Sequence, residues 1–371
     1  MKTFEELGIQ KNFVKALNGL NITKPSEIQK LIIPILLNAD TDIVGQAQTG
    51  TGKTAAFGLP LLQSIDASRQ DIQGLILCPT RELGQQIAKQ LFRFTKFSDR
   101  IFTEAIYGGE KIDRQIGALR RTTHIVVATP GRLIDLLKRK ALNIDKVKTV
   151  ILDEADDILS MGFKKELDQI LEFIPKDANK WLFSATMPHA IREIINEHLA
   201  ADTPSVKTLG KSKVNENIKH KYFVCDEDEK LHVLMQFINS QHKNRGIIFC
   251  RTKRATQQLA KQLIAKNVAT EAIHGDLYQK DREKVIRAFK KKKLQLIVAT
   301  DIAARGLDIE ALSYVVHFQL PESKEYYTHR SGRTARAGKE GVSMALVTTL
   351  ERSKLMVYEK FLGITFDRIR E

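Results

Sequence analysis

Ala47-Gln48-Thr49-Gly50-Thr51-Gly52-Lys53-Thr54 follows a short apolar run at Ile43-Val44 and opens a helical segment. That is the strand–loop–helix setting a phosphate-binding loop requires. Glycines at 50 and 52 let the backbone wrap an anion without Cβ clashes. The amides and the new helix N-terminus then face negative charge. Lys53 is placed to reach the β and γ phosphates of a nucleotide, and the Thr54 hydroxyl to bind Mg²⁺. The plain alternative is an ordinary glycine-rich turn, which the full string argues against. Ala47 stands where the first glycine of such a loop is usually written.

Working outward, Val150-Ile151-Leu152-Asp153-Glu154-Ala155-Asp156 delivers adjacent carboxylates at the end of an apolar run. Asp153 is a candidate to hold Mg²⁺, directly or through water. Glu154 is a candidate to orient or deprotonate an attacking water. An exposed acidic turn is the alternative if the phosphate loop is set aside. Ser184-Ala185-Thr186 ends another run, and its hydroxyls have the size to bond those carboxylates. Small hydroxyl residues are common at strand ends, so this tripeptide means little alone. In the second half, His329-Arg330-Ser331-Gly332-Arg333-Thr334-Ala335-Arg336 gathers three arginines, with Arg333 and Arg336 three apart on one helical face. A guanidinium suits developing phosphoryl charge, and an arginine finger is worth about 10³–10⁵ in rate. A basic surface helix or a plain phosphate contact is the alternative.

Short apolar runs recur through the chain: Gly74–Cys78, Ile125–Ala128, Thr149–Leu152, Trp181–Phe183, then Gly246–Cys250, Leu294–Ala299, Tyr314–Phe318 and Val342–Val347. They lack internal alternation, as expected of strands covered on both faces. Helical stripes lie between them: Leu83, Ile87, Leu91, Phe94; Leu231, Leu234, Met235, Ile238; Ala255, Leu259, Leu263. Alternating strands and helices predict an α/β fold with parallel sheets. The stretch from Val206 to Asn217 follows Pro204, contains Gly210 and has no apolar stripe, so it is expected to divide two lobes. The 371 residues suffice for two domains. An apolar content of 43% excludes a disordered chain. With 59 Lys and Arg against 44 Asp and Glu, the net charge of +15 suits a polyanionic partner, although charge alone also fits a solvated basic surface. Lys138-Arg139-Lys140 and the lysines 290–293 read as such solvated faces. Cys78, Cys225 and Cys250 have no metal spacing and read as buried free thiols, which fits a reducing compartment. Met1–Glu6 has no apolar signal core, and no apolar run nears the roughly 20 residues that span a membrane. The expectation is a soluble, cytoplasmic protein with no membrane partner.

Further segments stand in order between these sites: Pro79-Thr80-Arg81-Glu82-Leu83, Gly108-Gly109, Thr129-Pro130-Gly131-Arg132, His274-Gly275-Asp276 with Gln279 and Arg282, and Ala299-Thr300-Asp301 leading to Arg305-Gly306-Leu307-Asp308. Together with the phosphate loop, Asp153-Glu154-Ala155-Asp156, Ser184-Ala185-Thr186 and the arginine segment, this order resembles that of the DEAD-box RNA helicases over nearly the whole chain. The resemblance implies two RecA-like domains in tandem: an ATP-binding domain at 1–206, a flexible linker at 207–217 and a C-terminal helicase domain at 218–371. It implies ATP and Mg²⁺ as cofactors and RNA as partner, bound by backbone contacts without sequence preference; nothing in the sequence suggests an obligate dimer, so a monomer is expected. ATP is then held by Gln29, Gln48, Thr49, Gly50, Thr51, Gly52, Lys53, Thr54 and Asp308, with Mg²⁺ at Thr54 and Asp153. Catalysis falls to Lys53, Asp153, Glu154, Arg333 and Arg336. Ser184, Thr186 and His329 couple the nucleotide to RNA. Pro79, Thr80, Arg81, Gly108, Gly109, Thr129, Pro130, Gly131, Arg132, Gly275, Gln279, Arg282 and Thr300 contact the RNA backbone. Gln29 as a side-chain amide matches adenine's donor and acceptor edge. The family's Gly-Phe upstream of it is Asn21-Ile22 here, which leaves Phe4 and Phe13 as aromatics for stacking under the base. Ala335 stands where many relatives have Gly, a mild departure.

The implied cycle needs both lobes on one nucleotide, because neither half carries the full catalytic set. ATP and RNA then bind cooperatively by reciprocal linkage. Contacts of this kind carry little sequence information, and the preference for RNA over DNA falls to the 2′-hydroxyl. The resemblance implies local, non-processive strand separation. Other readings are a DNA helicase, a small-molecule kinase, which has no use for the second arginine-bearing half, and an ATP-gated RNA clamp, which has no need of Glu154.

Overall fold

The computed structural model describes residues 2–38, 40–48, 50–208, 215–304, 312–335 and 339–369. The chain divides into two compact units, Met1–Leu209 and Gly210–Glu371.

In the first unit, strands β1 (Ile43–Gln46), β2 (Gly74–Leu77), β3 (Thr103–Ile106), β4 (Ile125–Ala128), β5 (Thr149–Leu152), β6 (Asn179–Ser184) and β7 (Ser205–Lys207) form one sheet. Its order is β3-β4-β2-β5-β6-β1-β7, and every pairing is parallel. Parallel strands need crossovers that cover both faces, which is why the central strands are apolar throughout. Successive side chains go to opposite cores. Ile76, Val127, Ile151 and Phe183 meet Phe57 and Leu61 of helix Lys53–Ser64 and Ile87 and Leu91 of helix Arg81–Phe94. Leu75, Leu77, Val126 and Leu152 meet Leu133, Leu167, Ile170 and Ile194 from the helices on the other face.

The second unit repeats this plan. Strands β8 (Ile218–Val224), β9 (Gly246–Phe249), β10 (Thr270–Ile273), β11 (Leu296–Ala299), β12 (Tyr314–His317), β13 (Gly341–Val347) and β14 (Phe366–Arg368) are ordered β10-β11-β9-β12-β13-β8-β14, again all parallel. Numbered from its own first strand, each sheet reads 3-4-2-5-6-1-7. The α/β fold of two parallel sheets expected from the sequence is the one observed. One stripe shifts: on helix Lys230–Ser240 the buried positions are Val233, Leu234, Phe237 and Ile238, with Leu231 and Met235 at the margin. Lys207, counted above with the linker, is the last residue of β7 and pairs with Gln46. Residues 209–214 of that linker lie outside the described residues.

Five strands carried no readable apolar run: β3, β7, β8, β10 and β14. Four of them are the sheet edges. An edge strand is covered less fully, so its residues need not be continuously apolar. β3 and β10 are both Thr-Glu-Ala-Ile. All three cysteines are free and buried, and no described helix is long and apolar enough to cross a membrane.

Candidate active site and nucleic-acid interface

In a parallel sheet all carboxyl ends share one edge, and ligands bind there. β1, β6 and β5 are neighbours in the first sheet. Their ends therefore bring together the phosphate loop, Ser184–Thr186 and Asp153-Glu154, which lie far apart in the chain. The loop needs its glycines. Gly50 has φ +84° and Gly52 φ +91°, in the left-handed region that costs glycine little. A Cβ on Gly52 would sit 2.4 Å from Gln29 Nε2. Gln29 is 4% exposed; its Nε2 donates to Gly52 O (3.0 Å) and its Oε1 accepts from Ser26 N (2.8 Å). Each group keeps one more hydrogen or lone pair for a base. Thr51 Oγ1 donates to Gln48 O (2.7 Å), closing the loop on itself. Lys53 begins the helix, and its ammonium is buried with no hydrogen-bond partner among the described residues. A buried ammonium without an acceptor is costly, and a polyphosphate supplies what it lacks. Thr54 is half-buried beside it. Thr49 lies outside the described residues.

Asp153 and Glu154 are 3% and 8% exposed. Asp153 Oδ1 accepts from Glu154 N (3.0 Å). Burial pushes the Asp153 carboxyl above the usual carboxylate range; the charge of Lys53 opposes this and Asp156 adds to it. A buried carboxylate held at that cost is a donor a divalent cation would stabilise, so the residues fit Mg²⁺. Glu154 caps the next helix with φ 52° and ψ 49°, a left-handed conformation unusual for a residue with a Cβ. Strain of this kind collects at functional sites and costs about 1–3 kcal/mol. Thr186 donates to Asp156 Oδ2 from both N (2.9 Å) and Oγ1 (2.7 Å), while Ser184 Oγ donates to Thr186 O (2.7 Å). Gln46 Nε2 donates to Ala185 O (3.3 Å), tying β1 to the same segment.

The other half of the sheet, β2, β4 and β3, carries the residues assigned to RNA. Thr80 is buried and N-caps helix Arg81–Phe94, its hydroxyl accepting from Leu83 N (3.3 Å). Thr129 and Pro130 are buried at the start of helix Pro130–Lys138, with Gly131 exposed. Arg81 lies over the Tyr107 ring (4.3 Å) and 3.9 Å from Glu110. Arg132 donates to Gln115 Oε1 (2.7 Å) and Glu110 O (3.0 Å), and Gln115 Nε2 donates to Tyr107 O (3.1 Å). Tyr107, Glu110 and Gln115 thus set the two arginines beside Gly108 and Gly109. The sequence reading missed all three; an aromatic directly before a glycine pair was the available signal.

In the second unit, Gly275 follows β10 and Thr300 follows β11, on the corresponding half of that sheet. Gln279 opens helix Gln279–Lys290 and bonds Glu283 (3.2 Å), with Arg282 half-buried one turn on. Lys253 pairs with Asp276 beside Gly275. Two arginines of the 329–336 segment, Arg330 and Arg333, have different surroundings. Arg330 is 1% exposed; it forms a two-pronged pair with Asp301 (Nη2 to Oδ2, 2.7 Å) and donates to Gln319 O (2.7 Å). His329 and Arg333 are half-buried nearby, lining a small pocket with Asp301 and Tyr326. Arg336 and Asp308 lie outside the described residues. Helix Lys324–Ser331, which carries His329 and Arg330, reaches a buried polar cluster: Tyr327 Oη is 2.6 Å from His220 Nδ1 and 3.1 Å from Ser343 Oγ, and His317 Nε2 is 3.0 Å from Ser343 Oγ. Burial holds both imidazoles neutral, His220 with its pKa lowered to about 4 and His317 well below the usual value.

One expectation fails. Phe4 and Phe13 are each 2% exposed in the apolar core with Leu17, Ile28 and Ile32, so neither offers a ring to a base. Their side chains are part of the first unit's apolar core.

With this geometry in view, comparison with known proteins is direct. The family described as DEAD/DEAH box helicase matches residues 26–194, and the helicase conserved C-terminal domain matches residues 229–338. The chain is 42% identical over 369 residues to the DEAD-box ATP-dependent RNA helicase CshA of Bacillus cereus, covering 100% of this chain and 70% of that protein. Among solved structures it resembles S. cerevisiae Dbp5 bound to RNA and ADP BeF3, with TM-score 0.89, 30% identity and coverage of 100% of this chain and 96% of that one. It also resembles Mss116p bound to ssRNA and AMP-PNP, with TM-score 0.88, 27% identity and coverage of 100% and 80%. On its fold, its motif order and these matches, the chain belongs to the DEAD-box family of ATP-dependent RNA helicases.

Proposed function

We propose that the chain hydrolyses ATP in response to RNA and uses the cycle to separate short duplexes locally, without processive travel. The observation that carries the reading is the Lys53 ammonium, buried without an acceptor at the head of a loop built from left-handed glycines. A triphosphate supplies the acceptor that the ammonium lacks. Gln29 reads the base beside the loop. Glu154, beside Asp153 in a left-handed backbone conformation, orients and deprotonates the attacking water. Mg²⁺, held by Asp153 and Thr54, neutralises phosphate charge when bound. Asp156 and Thr186, bonded to each other, link the carboxylate segment to the end of β6. The arginines at 333 and 336 belong to the second unit, so hydrolysis depends on that unit supplying positive charge to the γ-phosphate held by the first.

RNA is read as the partner because CshA is named an RNA helicase and the Dbp5 and Mss116p structures contain RNA. Thr80, Arg81, Gly108, Gly109, Thr129, Gly131 and Arg132 on one unit and Gly275, Gln279, Arg282 and Thr300 on the other suit a phosphate–sugar backbone.

Steady-state ATPase with and without RNA tests the reading. Wild type should be stimulated by RNA, and Lys53→Ala should lose about 10²–10³-fold in kcat. Unchanged turnover in that variant would overturn the site assignment. Glu154→Gln should keep ATP and RNA binding and lose turnover. Equal stimulation by RNA and DNA oligonucleotides of one length would replace the RNA reading with a general nucleic-acid one.

A further inference from the structure

Asn215 stands near the start of the second unit, just ahead of β8. Its side chain does two jobs. Oδ1 accepts from Asn217 N (3.0 Å), and Ile218 N donates to the Asn215 carbonyl (3.0 Å), which fixes the turn into the strand. Nδ2 donates to the carbonyl of Ala335 (2.7 Å), distant in sequence. Ala335 is fully buried and has φ +54°. An alanine pays for that conformation through its Cβ, where glycine does not. It persists only where the surroundings hold it.

Those surroundings are visible. Thr334 is bridged to Leu312, and its Oγ1 donates to Leu312 O. Gly341 lies so close that a Cβ there would come within 2.8 Å of Ala335 N. The chain is thus pinned just before Ala335 from two sides, and the Asn215 amide holds the Ala335 carbonyl. Ala335 stands two residues after Arg333.

We propose that Asn215 is a positioning residue: its amide holds Ala335 in the left-handed turn beside Arg333 and Thr334, so the stretch of chain entering the second unit governs what Arg333 contributes to hydrolysis. This rests on the assignment of Arg333 and Arg336 made above. Released from the amide, an alanine relaxes towards ordinary φ and disturbs the turn that stands two residues after Arg333. Arginines that act on developing phosphoryl charge affect kcat more than ATP binding. The effect of Asn215 therefore belongs in kcat.

Asn215→Asp is the discriminating variant. It keeps the size and the acceptor for Asn217 N but lacks the donor for Ala335. In RNA-stimulated ATPase assays it should lose about tenfold in kcat with KM for ATP changed less than about twofold, and its melting temperature should match wild type. Adding Ala335→Gly should restore kcat to within about threefold, because glycine adopts the turn without help. A merely structural role for Asn215 would not be rescued in this way. Wild-type kcat in Asn215→Asp, or a loss that persists in the double variant, overturns the proposal. Arg333→Ala run beside them separates the two levels. If it keeps the full rate, the arginine assignment fails and takes the proposal with it. If it loses rate while Asn215→Asp does not, only the role of Asn215 falls.

Discussion

Arginines of identical chemistry do different work within one turn of chain. Arg330 is buried against Asp301 and Gln319, whereas Arg333 lines a pocket. Breaking a buried two-pronged pair leaves an uncompensated charge and costs about 3–5 kcal/mol. Arg330→Ala should therefore lower the urea midpoint of the second unit by an amount of that order. Arg333→Ala should lower the midpoint less than Arg330→Ala and lower the RNA-stimulated rate. Equal stability losses in the two would show that both are structural. The left-handed positions make the same point. Asn21 and Ala335 both stand where the family favours glycine, with φ 59° and 54°. Asn tolerates that region through its short polar side chain and Ala does not. The departure at Ala335, mild by composition, is a strained one in the fold. Residue type was legible in the sequence; which arginine is buried and which alanine is strained depended on neighbours such as Asp301 and Asn215, far away in the chain.

At the scale of elements, the central strands were legible because burial on both faces forces continuous apolar runs, as in Ile125–Ala128 and Thr149–Leu152. Thr-Glu-Ala-Ile at β3 and β10 was not legible, since an edge relaxes that demand. Helix Lys324–Ser331 illustrates another blind spot: it shows no apolar stripe, and its Tyr327 and Ser331 reach a buried polar cluster of His220, His317 and Ser343. That cluster makes stability depend on pH. Burial lowers the His220 pKa from 6.5 to about 4, so the unfolded chain binds its proton more readily. The contribution is complete above about pH 7 and is lost as pH falls through 6.5 towards 4. At pH 5 the second unit should be about 2 kcal/mol less stable than at pH 7.5 from this group alone. His317 acts in the same direction. Urea titrations at the two pH values check this, and His220→Gln should flatten the difference; an unchanged slope in that variant would remove His220 from the account.

At the scale of the whole molecule, a net charge of +15 and backbone-type contacts predict RNA affinity that falls with salt. A log–log plot should be linear with a slope of about −0.7 per phosphate neutralised on a single strand. An affinity insensitive to salt would rule out phosphate contacts as the main source of binding. The sequence by itself determined the chemistry: a lysine-ended glycine loop, adjacent carboxylates after a strand, arginines in the second half, and alternating apolar runs that demand parallel sheets. It did so because each is a local pattern, set by residue type and spacing. Only the tertiary structure decided their grouping. Strand order 3-4-2-5-6-1-7 sets β1, β6 and β5 side by side and sends β2, β4 and β3 to the other half, so nucleotide and RNA candidates occupy opposite halves of one edge. Crossover connections leave strand order independent of chain order, and hydrogen-bonded pairing between distant segments settles it.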